Sequence, residues 1–173
     1  MNDVGTRILD LLKRMQAMRE QDPEQGGSTP APPDGHDDRI RTLEPGVYRP
    51  LSPMLRARFA FAASWEDAFL TQSWLSLSEI EQFETNPELL ELIGLRRENW
   101  SDLPPESVAP RDCAVFGYCP YGVDETYLVW SGDAVEPAVW TYSSSTVHHF
   151  ENLENFLGYI VNDRESDDGI PGT

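Results

Sequence analysis

Lysine is nearly missing from this chain. Its 173 residues hold one, Lys13, against twelve arginines. That bias belongs to GC-rich genomes, where AT-rich lysine codons are scarce, and it points to a bacterial source. Cations of either kind thin out along the chain. Residues 59–173 carry four basic and 21 acidic side chains, whereas residues 1–58 are balanced at nine of each. The whole formal charge of −17 therefore lies after residue 58. A phosphate-binding surface needs clustered Lys and Arg, so no nucleic acid is expected as a partner. Anionic membrane surfaces are disfavoured by the same repulsion. A basic protein would instead be attracted and steered in.

Other shortages exclude further classes. No apolar run approaches the roughly 18 residues that a membrane span requires. No apolar segment followed by a small-residue cleavage site opens the chain, so no signal peptide is expected and a cytoplasmic location is. Two cysteines, Cys113 and Cys119, cannot make a disulfide framework. On one straight strand they would stand roughly 20 Å apart, beyond disulfide reach. They read as reduced core thiols. Gly26-Gly27 falls in a Pro-rich stretch, so no phosphate-cradling glycine loop is present.

What is present is clearest from Cys113 onward. Ala114–Tyr118, Thr126–Trp130, Ala138–Tyr142 and Thr146–Phe150 are short β-branched and aromatic runs. Turn clusters at Pro120–Asp124, Ser131–Asp133 and Ser143–Ser145 separate them. Connections this short forbid parallel crossovers, so the runs predict an antiparallel meander. Leu153, Phe156, Leu157, Ile160 and Val161 then recur at helical spacing behind Asn152, a good N-cap. The fold class expected is α+β, an antiparallel meander flanked by helices.

Upstream, Val4, Ile8, Leu11, Leu12, Met15 and Met18 give residues 3–20 a helical stripe. Such a helix either docks to a partner or folds back on its own chain. Residues 21–38 lack any large apolar side chain and read as a flexible Pro/Gly/acid-rich linker. Arg39, Arg41, Arg49, Arg56 and Arg58 follow, and they are expected to pair with the acidic remainder of the molecule. Three helix starts are then read, at Ser64-Trp65-Glu66-Asp67, at Ser78-Glu79-Ile80-Glu81 and at Asn86-Pro87-Glu88, the last stopping at Gly94. The organisation expected is a helix over 1–20, a linker over 21–38, an α+β domain over 39–163 and a disordered acidic tail over 164–173.

Catalytic groups are hard to assemble. A thiol triad could be drawn from Cys113 or Cys119, His148 or His149, and Asp112, but no local signature surrounds either cysteine. Adjacent histidines on a strand point to opposite faces and cannot share a metal. A zinc site would need Cys113 and Cys119 to fold back together at Gly117. The acid pairs Asp124-Glu125, Glu79/Glu81 and Asp167-Asp168 match no calcium loop. Trp130, Trp140 and Tyr142 read as packing aromatics. No cofactor, metal or catalytic residue is expected, and the chain reads as not an enzyme.

Several segments together resemble the SMI1/KNR4 family, also called the SUKH superfamily. They are Ser78-Glu79-Ile80-Glu81-Gln82-Phe83-Glu84, Val115-Phe116-Gly117, Glu125-Thr126-Tyr127-Leu128-Val129-Trp130, Glu136-Pro137 leading into Ala138–Tyr142, and Phe150-Glu151-Asn152-Leu153-Glu154-Asn155-Phe156-Leu157. The likeness spans roughly residues 64–162. The family's Leu-Pro signal falls late here, at Leu103-Pro104. The resemblance implies an α+β fold with a central antiparallel sheet. In bacteria it implies an immunity protein that neutralises a cognate toxin, often a nuclease with a basic cleft. An acidic surface suits that partner, and the acids expected to contact it lie in the sheet turns: Asp124, Glu125, Asp133 and Glu136. Two other readings stay open, a regulatory scaffold of the same fold docking through residues 3–20, and a small cysteine/histidine hydrolase or metal protein.

Overall fold

The computed structural model describes residues 3–22, 29–35 and 37–162. Among these residues, eight strands form two antiparallel sheets. A small hairpin joins β1 (Arg39–Arg41) to β2 (Tyr48–Pro50). The main sheet runs in sequence order through β3 (Trp65–Phe69), β4 (Gln72–Trp74), β5 (Cys113–Tyr118), β6 (Glu125–Val129), β7 (Ala138–Ser143) and β8 (Thr146–Phe150). Helices α1 (Val4–Gln21), α2 (Pro53–Phe61), α3 (Leu77–Glu81), α4 (Pro87–Asn99) and α5 (Leu153–Asn162) cover it. The chain is thus α+β, and the last four strands form the expected meander.

Residues paired across antiparallel strands share a face, so the register separates two layers. Leu128, Val139 and Phe150 lie in one row, and Phe156 of α5 packs on Phe150 and Trp74 beneath it. Glu125, Tyr142 and Val147 lie in a row on the opposite face. There Arg96 of α4 and Trp100 rest against the Tyr142 ring. Cys113, Val115, Tyr127 and Leu128 are fully buried between the layers. Both faces of β5 and β6 are therefore covered, and every residue of the two strands is buried, Glu125 and Thr126 included.

Helix α1 belongs to this core. Ile8, Leu12 and Met15 are buried against α2 and α5, each contributing about 1.5–3 kcal/mol. Arg7 grips Glu154 at 2.8 Å and Arg14 reaches Asn162 at 3.3 Å. Residue 20 is therefore not a packing boundary, and the stripe read as a possible docking face is already occupied. Within the linker, Ala31 exchanges backbone hydrogen bonds with Ser64 at 2.9 Å and Ala63 at 3.1 Å. Residues 23–28 and 36 of that linker, and the tail 164–173, lie outside the described residues.

Three local readings are corrected. Trp65–Phe69 is a strand, not a helix start, because the Ser64 carbonyl is engaged by Ala31 and Trp65 pairs with Trp74. The hairpin turns at Leu70 with a positive φ of 53°. The capping box of α3 sits two residues earlier than read: the Ser76 hydroxyl accepts from the Glu79 N–H at 3.1 Å, and the Glu79 carboxylate accepts from the Ser76 N–H at 2.7 Å. Helix α4 starts at Asn86 as expected but runs through Gly94 to Asn99. Gly94 faces open space, while Arg96 one half-turn on is held inside. Helix α2 was hidden among the arginines; its cap Ser52 and first-turn Pro53 are the signal that marks it.

Candidate functional site

The five arginines of residues 39–58 each make contacts within the molecule, although Arg39 and Arg56 stay exposed. Arg41 pairs with Glu84 at 2.9 Å, Arg56 with Asp38 at 2.6 Å, and Arg49 with Asp112. Arg39 stacks on Tyr48 at 4.0 Å. Arg58 is fully buried, donates to the Ala62 and Ala63 carbonyls at the end of its own helix, and lies over Phe59, Trp74 and Phe116. Burial pushes its guanidinium down to about 9, which leaves it cationic at neutral pH. It makes no ion pair among the described residues.

The four acids expected as contacts do not form one surface. Glu125 is fully buried, where the Arg96 guanidinium clamps both its oxygens and also donates to the Val123 carbonyl at 2.9 Å. Burial pushes the Glu125 carboxyl up, and Arg96 pulls it part of the way back. This residue cannot touch a partner, so its assignment is corrected: the turn ends at Asp124, and Glu125 already belongs to β6 beneath α4. Asp124 is half-buried and accepts from the Ser144 N–H at 2.7 Å, tying two sheet turns together. Glu136 is half-buried and accepts from the Met54 N–H at 3.1 Å, serving the orphan donors of α2. Asp133 is exposed.

The cysteine and histidine groups are separated. Cys113 and Cys119 are free and buried, and desolvation pushes the Cys113 thiol up, away from a nucleophilic thiolate. His149 stacks on Trp140 at 4.3 Å on one face of the sheet, and His148 lies against Tyr159 on the other. No group of three His, Cys, Asp or Glu could hold a metal among the described residues. Burial lowers the His148 pKa from its ordinary 6.5. The unfolded chain then binds a proton before the folded one does. Stability is expected to decline as pH falls through 6.5 toward the depressed value. His148→Gln should remove that part of the slope, read as melting temperature against pH for the two proteins.

An acid-bearing concave feature lies elsewhere, beside the β3–β4 hairpin. A cleft of about 320 Å³ opens between β3, β4, α3 and the start of α4. Glu66 and Glu79 line it together with Ser73, Gln82, Asn86 and Tyr118. Asn86 caps α4 through the Leu89 N–H at 3.1 Å and donates to the Tyr118 hydroxyl at 2.8 Å, which fixes the cleft wall. No protein-family model matches this chain, and no curated protein matches it either. The site is therefore defined by its own chemistry. From Ser64 to Leu95 the sequence has seven acids and no Lys or Arg. Glu88 and Glu91 extend the acidic surface along the exposed side of α4. The sequence signal for this surface is the run of acids from Ser64 to Leu95 with no Lys or Arg among them.

Proposed function

We propose that this chain is a non-enzymatic protein-binding module of the SMI1/KNR4 kind, a bacterial immunity protein acting in the cytoplasm. Its partner is a basic, nuclease-type toxin that it neutralises by occlusion. The observation that carries this reading is the division of charge. Arginines outside the acidic stretch are largely consumed by internal contacts with acids, carbonyls and rings, whereas residues 64–95 supply seven acids and no Lys or Arg of their own, and although Arg41 takes up Glu84, Glu88 and Glu91 stay exposed along α4 beside the cleft. Such a face attracts a basic surface and speeds encounter. A cleft of this size admits one or two partner side chains, and the exposed Glu88 and Glu91 on α4 beside it offer carboxylates to a partner's Arg.

Affinity capture of the tagged full chain from its source cells, washed at low and then high salt, tests this directly. One stoichiometric basic protein, weakened by salt, is the expected result of mass spectrometry on the retained material. The absence of any stoichiometric partner at low salt would overturn the reading.

A further inference from the structure

The two edges of the main sheet are treated differently. Edge strand β3 carries Glu66 and Asp67, has a register shift against β4, holds Asp67 at a positive φ of 49°, and continues from residues bonded to Ala31. These are the devices that block strand addition. Edge strand β8 has none of them. Thr146-Val147-His148-His149-Phe150 contains no Pro, Lys, Arg, Asp or Glu, and it pairs with β7 one-to-one without a bulge. The hairpin closes through Ser143 and Thr146 with Ser144 at a positive φ of 54°. In a two-residue hairpin the ladder alternates from that closing pair. Thr146, His148 and Phe150 therefore bond inward to β7, and the N–H and C=O groups of Val147 and His149 point outward. No hydrogen bond meets those outward groups from the described residues.

From this we infer that β8 is a self-association edge, and that its occupant is β8 of a second copy, joined antiparallel about a two-fold axis through His148. Charge selects this occupant. Residues 137–150 are the longest run without Asp, Glu, Lys or Arg in a chain of net charge −17. A second copy is repelled by most of this molecule and can approach closely along this strip. A basic partner finds nothing to bind there, since the acids concentrate beside the β3 edge. The register is self-complementary. Val147 meets His149 of the copy, their outward groups exchange hydrogen bonds, and His148 meets its own counterpart. Glu151, the first charge after the strand, then falls opposite Ser145 of the copy, so no like charges face each other. The result is one continuous twelve-stranded sheet that leaves the acidic clefts at its two far ends.

Light scattering and sedimentation on the full chain test this independently of any partner. At about 100 μM chain the expected mass is twice 19.6 kDa. Val147→Lys, which places two added cations beside the axis, should return the single mass with unchanged circular dichroism. His148→Cys supplies a test that does not depend on that variant folding. Across the axis the two Cα atoms would stand about 4.5 Å apart, within disulfide range, so oxidation should give a covalent dimer on a non-reducing gel. A single-chain mass at that concentration, a Val147→Lys protein that keeps the double mass, or a His148→Cys protein that forms no cross-link would each overturn the inference.

Discussion

Replacing Arg96 with methionine should lower stability by about 3–5 kcal/mol, read from urea or thermal unfolding. The side chain is 6% exposed and Glu125 is 0% exposed, so the lost partner cannot be replaced by water. The carboxylate that remains has its desolvation cost without its counter-charge. The pH dependence carries the diagnostic. With Arg96 gone, burial and the neighbouring Asp124 charge act on Glu125 unopposed, and its pKa rises further above the ordinary 4.5. The unfolded chain then loses that proton first, so stability falls as pH climbs above 4.5, by up to about 1.4 kcal/mol per pH unit. Arg96→Met combined with Glu125→Leu should recover most of the loss, because an apolar pair of similar volume needs no compensation. A cost below about 1 kcal/mol for the single variant would mean that this pair behaves as a surface salt bridge.

Gly117→Ala is expected to cost about 3 kcal/mol. A Cβ at this position would stand 2.8 Å from the Ser73 carbonyl oxygen and 2.9 Å from Cδ1 of Trp74. Neither can yield. Ser73 belongs to β4, which pairs with β5 here. Trp74 is wedged against Trp65, Phe116 and Phe156 at ring separations of 5.2–5.9 Å. Gln72 of the same β4 reaches across β5, accepting from Thr126 at 2.6 Å and donating to Thr141 at 3.1 Å. Those three buried polar groups satisfy one another only while β4 stays close. Gly94→Ala is the control. It faces open space within α4, so the same change there should stabilise by about 0.8 kcal/mol.

Some of this was legible in the sequence. Alternating aromatic and β-branched runs with short turns identify β5 to β8, since no other arrangement buries them over such connections. The stripe of α5 and its Asn152 cap are likewise local signals, and Asn152 does accept from the Asn155 N–H at 3.0 Å. Elements set by distant partners were harder to read. Trp65–Phe69 has a helix-like start and is extended because Ala31 and Trp74 pair with the residues around it. The Ser-x-x-Glu spacing occurs twice between Ser76 and Glu81, and only the fold chooses the first. Glu125 looks like a turn acid beside Asp124; its burial depends on Arg96, which lies beyond a glycine expected to end the helix. The acidic surface was visible as net charge, but its location depends on which acids the fold consumes.

The most direct test of the charge-complementary partner is the rate at which the captured basic protein associates with wild type and with Glu88→Lys/Glu91→Lys across a range of salt concentrations. Both residues are exposed on α4 and neither supports the core. The account predicts an association rate at least about ten-fold slower for the variant at low salt, with a shallower salt dependence. Asp133→Lys in the sheet turns should leave both nearly unchanged. Equal rates and equal salt slopes for wild type and the α4 variant would contradict it.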